Sequence, residues 1–144
     1  MSANLPNPLL EAKAVAKHFG GVKALQDVSL TIRKGEIYGL IGPNGAGKTT
    51  FFNCMTGLYV PDGGGFVFDG APLVADAPDK AAARGIARTF QNIRLFGNMT
   101  ALENVMVGRH VRTKAGVWGA MLKSAATRAE EAAIAQRAMD LLHY

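Results

Sequence analysis

The 144-residue chain has few of the features that would place it outside the ordinary globular proteins. Its one cysteine, Cys54, excludes an internal disulfide and points to a reducing compartment. Cys54 is expected to act as a small buried apolar residue rather than a reactive thiol. The N-terminal segment Met1–Pro8 has no basic cluster followed by an apolar run, so no secretory leader is expected there. The charge-free stretch between Lys48 and Asp62 falls short of the roughly 18 apolar residues that a membrane span needs. Dense charge is also missing. Only 19% of residues are charged, and the net charge of +5 comes from scattered positions. Arg84, Arg88, Arg94, Arg109 and Arg112 stand singly, without the basic run or aromatic interleaving of a nucleic-acid surface. They read as solvated surface charge, and no nucleic-acid partner is expected. With 49% hydrophobic residues, the chain can build one real core.

Against this background one segment carries chemistry. Gly42-Pro43-Asn44-Gly45-Ala46-Gly47-Lys48-Thr49 spells GxxxxGK[ST], a phosphate-cradling loop. Its glycines permit tight turns and close approach of backbone to ligand. Successive N–H groups can then point inward at phosphate oxygens, and a helix starting near Gly47 adds its positive end to the same spot. Lys48 supplies a mobile cation for the β- and γ-phosphates, and the Thr49 hydroxyl can ligate Mg²⁺. Before the loop, Glu36–Ile41 is a short apolar run that predicts a buried, parallel strand. After it, Phe51, Met55 and Leu58 fall at helical spacing and Gly57 predicts the helix stop.

Elsewhere, Leu9–Lys17 and Ala24–Ile32 alternate as half-exposed strands, with turns at His18–Gly21 and Arg33–Gly35. Phe66–Phe68 predicts a strand closed by Asp69-Gly70, Ala77–Arg84 a short helix stopped at Gly85, and Ile86–Phe90 another strand. Strand signals fade from Gln91 onward. Thr100-Ala101-Leu102-Glu103 is a capping box opening one helix. Thr127-Arg128-Ala129-Glu130 is a second, opening a helix with Ile134, Ala138, Leu141 and Leu142 on one face. Trp118, Met121 and Leu122 could form a packed helical turn between them. Glu130 and Glu131 read as solvated.

Phe19, the glycine loop, the Phe66–Gly70 strand and Gln91 together resemble an ATP-binding cassette (ABC) transporter ATPase over nearly the whole chain. Arg88–Phe96, Met99-Thr100, Glu103-Asn104-Val105 and Phe19–Leu25 are similar to the branched-chain amino acid importer subgroup. The resemblance implies an α/β fold: a P-loop NTPase core with an antiparallel β layer, followed by the start of a helical subdomain. It places residues 1–91 in the nucleotide-binding core and 92–144 in an incomplete helical subdomain. It further implies ATP and Mg²⁺ as cofactors, with Phe19 stacking on adenine. Gly42, Pro43, Asn44, Gly45, Ala46, Gly47, Lys48, Thr49 and Thr50 would surround the phosphates. Thr49 and Gln91 would serve the metal, Lys48 would stabilise transition-state charge, and Gln91 would position water or Mg²⁺. Asn98-Met99-Thr100 and the following helix resemble the part that faces a permease.

The implied partners are transmembrane permease subunits and a second cassette, in a homo- or heterodimer. The implied location is the cytoplasmic face of the inner membrane, reached only through the permease. The family's signature sequence, Walker B strand with its catalytic glutamate, and switch histidine have no match here. His18, His110 and His143 all precede the place of the last. The chain therefore reads as a C-terminally truncated cassette that does not hydrolyse ATP efficiently alone. Three alternatives remain open at this point: a cassette for lipopolysaccharide or another polar solute, a different P-loop kinase or GTPase, and a binding-only regulatory module.

Overall fold

The computed structural model describes residues 7–90, 94–108 and 125–143. The chain divides into two compact units, Met1–Arg88 and Thr89–Tyr144.

The first unit is built on a long hairpin. Strand β1 (Pro8–Phe19) turns at Gly20-Gly21 into β2 (Val22–Arg33), with Phe19 paired to Val22 and Leu10 to Ile32. Strand β3 (Gly63–Phe68) pairs with the other edge of β1, and short β4 (Ala71–Pro72) pairs with β3. The sheet order is β2-β1-β3-β4, every pair antiparallel. Both long strands change phase midway. Ala14 and Asp27 each take φ of 47°, and the register shifts between Ala12 and Val15. An unbroken two-residue period would send Ala14 inward after Leu10 and Ala12; the irregularity sends Val15 instead, and Val15 is fully buried. The Ser29 hydroxyl accepts from the Ala14 N–H at 2.9 Å, satisfying the irregular backbone.

Helix α1 (Lys48–Met55) closes one side of the core with Phe51 and Cys54, both buried beside Leu10, Ala12, Val15, Leu25 and Phe66. Burial pushes the Cys54 thiol up, as expected of an inert core residue. The helix ends at Gly57, φ 75°, where the Gly57 N–H donates to Cys54 O and the Leu58 N–H to Asn53 O. Leu58, expected on the helical stripe, lies beyond this stop and is exposed. Helix α2 (Pro78–Ala83) ends the same way at Gly85.

Two expected strands do not form. Residues 36–41 and 86–90 carry no strand pairing, and Ile37 and Ile41 are fully exposed. A parallel strand needs a parallel neighbour for its ladder, and the described sheet is antiparallel throughout. Apolar composition alone does not supply that neighbour.

Arg84 corrects another expectation. Rather than being a solvated charge, its guanidinium donates to the carbonyls of Phe68, Ala71 (3.1 Å) and Pro72 (2.8 Å). It also lies 5.7 Å from the centre of the Phe68 ring. It clamps the β3–β4 turn, where Asp69 (φ 48°) and Gly70 (φ 76°) make a tight hairpin. Arg88 is likewise engaged, donating to Asn53 Oδ1 at 2.6 Å.

In the second unit, α3 (Ala101–Val107) lies against α4 (Ala125–Leu142). The first capping box forms as expected. Thr100 Oγ1 accepts from the Glu103 N–H at 3.2 Å, and Glu103 Oε2 accepts from the Thr100 N–H at 2.7 Å. That second bond holds the Glu103 carboxyl below its ordinary range. Thr127, expected as an N-cap, falls inside α4, because Ala125 and Ala126 are strong helix formers that carry the helix further upstream. On α4, Ile134 and Ala138 are buried, whereas Leu141 and Leu142 stay exposed. Trp118, Met121 and Leu122 lie outside the described residues.

Candidate functional site

The glycine loop meets α1 at Gly47, which takes φ 83° and ψ 2° as the N-cap. Gly45 adopts a similar φ of 84°. Such left-handed positions disfavour any residue with a Cβ. At Gly47 a second constraint acts, because a Cβ there would run into the Ala24 carbonyl oxygen of β2 and approach Leu25 Cδ2 at 3.1 Å. At Gly45 a Cβ would meet nothing within 4 Å. The two glycines therefore do different work: Gly45 lets the loop turn, and Gly47 also lets the hairpin close onto it.

Lys48 is folded back across the loop. Its ammonium donates to the carbonyls of Gly42 at 2.5 Å and Pro43 at 2.7 Å. The Ala46 N–H donates to Pro43 O at 3.3 Å, and the Phe51 N–H to Gly47 O at 2.8 Å as the helix begins. Thr49 stands exposed in the first turn of α1, with no side-chain hydrogen bond to any described residue. This donor set fits a phosphate chain. It offers a helix N-terminus, the Lys48 cation, and a Thr49 hydroxyl unbonded among the described residues that could serve Mg²⁺, which accepts a mixed shell of hydroxyl, phosphate and water oxygens. Among the described residues no three His, Cys, Asp or Glu side chains gather into a metal cluster. Gln91, expected to share the metal, lies outside the described residues.

Phe19 ends β1, and its pairing partner Val22 stands two residues from Ala24, whose carbonyl abuts Gly47. The hairpin thus carries Phe19 on the strand paired with the one that meets the loop. Phe19 is 44% exposed, which a core phenylalanine would not be. It has two neighbours that the sequence did not signal. The Tyr59 ring packs edge-on with centroids 5.4 Å apart, and Lys17 Nζ lies 5.5 Å from the ring centre.

Lys17 is itself held by Asp62 Oδ1 at 2.9 Å, while Asp62 Oδ2 accepts from the His18 N–H at 2.6 Å. These contacts, first the His18 N–H and then the Lys17 ammonium, hold the Asp62 carboxyl below its ordinary range. The linkage has a definite sign. A depressed carboxyl pKa contributes stability above the unfolded value near 3.9, and that contribution fades as pH falls through the lower folded value. Urea midpoints from pH 7 to pH 3 should therefore drop more steeply at the acid end for the wild type than for Asp62→Asn. Parallel profiles would remove Asp62 from this role.

In the second unit, Asn104 braces the segment before α3. Its Oδ1 accepts from the Phe96 N–H at 2.9 Å, and its Nδ2 donates to the carbonyls of Phe96 (3.2 Å), Met99 (3.3 Å) and Thr100 (2.9 Å). The braced turn exposes Leu95, Phe96 and Met99.

The GxxxxGK[ST] sequence of Gly42–Thr49, with left-handed Gly45 and Gly47 at the head of α1, defines the P-loop class of protein. Residues 25–143 match the ABC transporter family, and the chain belongs to it. It is 42% identical over 138 residues to the high-affinity branched-chain amino acid transport ATP-binding protein LivG of Salmonella typhimurium, a match covering 96% of this chain and 54% of that protein. It is 41% identical over 127 residues to the corresponding protein BraF of Pseudomonas aeruginosa, covering 88% of this chain and 50% of BraF. The chain thus spans about half the length of these curated relatives. Among solved structures, a nucleotide-free ATP-binding cassette from an ABC transporter superposes with a TM-score of 0.65 at 31% identity, covering 83% of this chain and 47% of that one.

Proposed function

We propose that this protein is the ATP-binding subunit of an ABC importer, coupling ATP binding and hydrolysis to the uptake of branched-chain amino acids. The observation that carries the reading is the loop at the head of α1. Two left-handed glycines, a backbone-tethered Lys48 and a free Thr49 hydroxyl converge there, on a chain 42% identical to LivG. In this reading Gly42 to Thr50 wrap Mg-ATP phosphates, Phe19 stacks on adenine, and Thr49 with Gln91 serves Mg²⁺. Lys48 leaves the Gly42 and Pro43 carbonyls to neutralise charge on the β- and γ-phosphates. Bound Mg²⁺ would offset part of the remaining phosphate charge. Residues 1–91 act as the nucleotide core and 92–144 as the start of the helical subdomain.

The exposed Leu95, Phe96 and Met99 on the Asn104-braced turn suit contact with permease subunits. A second cassette completes the assembly at the cytoplasmic face of the membrane. Among the described residues no helix is long and apolar enough to cross a membrane, so the permease would supply the attachment.

Lys48→Met should leave the fold intact, because the Pro43 carbonyl it vacates is exposed and the Gly42 carbonyl only half-buried. It should weaken Mg-ATP binding on the order of 10- to 100-fold, the loss of charge-assisted contacts to phosphate. Calorimetric titration with Mg-ATP checks this, and equal affinity in both proteins would sink the phosphate assignment. In the native host, the same substitution should abolish uptake of labelled leucine. Retained leucine uptake with loss of another solute would redirect the reading to a cassette for that solute.

A further inference from the structure

We infer that Tyr59 is a positioning residue for the nucleotide base: its ring orients Phe19, so that the base platform is held ready and tied to the phosphate loop through α1. The inference rests on the ATP-binding reading above and goes beyond it to a residue 40 positions from Phe19 in the chain.

A lone phenylalanine at a strand end rotates about two side-chain torsions, and freezing it against a ligand costs binding free energy. Here that freedom is already restricted. The Tyr59 ring meets Phe19 at 5.4 Å with planes 74° apart, the edge-to-face arrangement that the ring quadrupoles favour. Lys17, pinned by Asp62, adds a cation 5.5 Å from the same ring. Tyr59 is fixed in turn by the helix that carries the loop. Its N–H donates to Asn53 O at 3.1 Å, alongside the Leu58 N–H at 2.8 Å, in the terminal turn that Gly57 stops. One end of α1 therefore faces the phosphates, and the other sets the tyrosine that sets Phe19. Tyr59 is itself 39% exposed and contributes to no part of the buried core cluster, so its packing against Phe19 is not explained by core formation.

The test compares two ligands on the full chain by calorimetry: Mg-ATP, which has a base, and magnesium inorganic triphosphate, which has none. Tyr59→Ala and Tyr59→Leu should each weaken Mg-ATP about three- to tenfold while leaving triphosphate affinity unchanged. Tyr59→Phe should restore the wild-type ratio, because the ring edge and not the hydroxyl does the work. An unchanged ratio in Tyr59→Ala and Tyr59→Leu overturns the inference. So does a Tyr59→Phe protein that behaves like the alanine variant. Triphosphate binding is the internal check of folding, and Tyr59→Leu keeps apolar bulk in case alanine disturbs the turn. Phe19→Ala separates the two layers of the argument. If it leaves the ratio unchanged, the base-stacking reading itself fails; if it lowers the ratio and the Tyr59 variants do not, only the role of Tyr59 fails.

Discussion

Gly47→Ala should destabilise the first unit by about 2–5 kcal/mol and remove Mg-ATP binding. Two costs add. A residue with a Cβ at φ 83° gives up roughly 1–2 kcal/mol relative to glycine. The new methyl also runs into the Ala24 carbonyl oxygen, which belongs to the β2 backbone and cannot rotate away as a side chain could. Either the hairpin lifts off the loop or the loop leaves its phosphate geometry, and overpacking of this kind costs about 1–3 kcal/mol. Gly45→Ala is the matched control. It has nearly the same φ, 84°, but open space around the added methyl, so it should pay only the conformational part. Thermal unfolding followed by circular dichroism compares the two. For a unit of this size each kcal/mol is worth roughly 4–8 °C, so the melting temperatures should separate clearly. Equal losses in both variants would refute the steric argument.

Phe51→Ala should cost about 3–5 kcal/mol, the range for removing a buried phenylalanine from a packed core. Phe51 is 3% exposed and is the aromatic link between α1 and the sheet, with its ring 5.4 Å from Phe66 and at 69° to it. Small domains are stable by only about 5–15 kcal/mol, so the loss would take a large share of the total. The adjacent Phe52 is 40% exposed, and truncating it should cost below about 1 kcal/mol. Urea titration of both variants decides. A Phe52 loss as large as that of Phe51 would mean that α1 is not packed by the face described. Because the loop is the N-terminal extension of α1, Phe51→Ala should also weaken Mg-ATP binding under conditions where the unit is still folded.

Much of the loop and its surroundings was legible in the sequence, because the features concerned are local. A glycine that must take positive φ, a Thr-x-x-Glu box that satisfies its own N–H groups, and a glycine that stops a helix each act within a few residues. Hence α1 starts after Gly47 and stops at Gly57, and Thr100 with Glu103 caps α3. The hairpin strands were legible to within about two residues at each end, since stretches of alternation survive on either side of the irregularities in the pairing, among them those at Ala14 and Asp27.

What failed depends on partners far along the chain. The apolar run at 36–41 has strand composition, but pairing is a property of two segments, and no described strand runs beside it. Arg84 was read as solvated because its acceptors at Phe68, Ala71 and Pro72 are backbone carbonyls, which leave no mark in a sequence. Val15 takes the buried place that simple alternation assigns to Ala14, because the backbone irregularity is set jointly with β2 and β3.

By itself, then, the sequence determined a phosphate loop at the head of a helix, a β layer before it, and membership of a family of nucleotide-binding cassettes, because short-range backbone chemistry needs only neighbouring residues. Only the tertiary structure decided that Gly47 must be bare to admit Ala24, that Phe19 faces outward between Tyr59 and Lys17, and that Arg84 is a clamp. Those outcomes turn on which distant surfaces meet, and contact across 12 to 45 positions of chain is decided by packing, not by spacing.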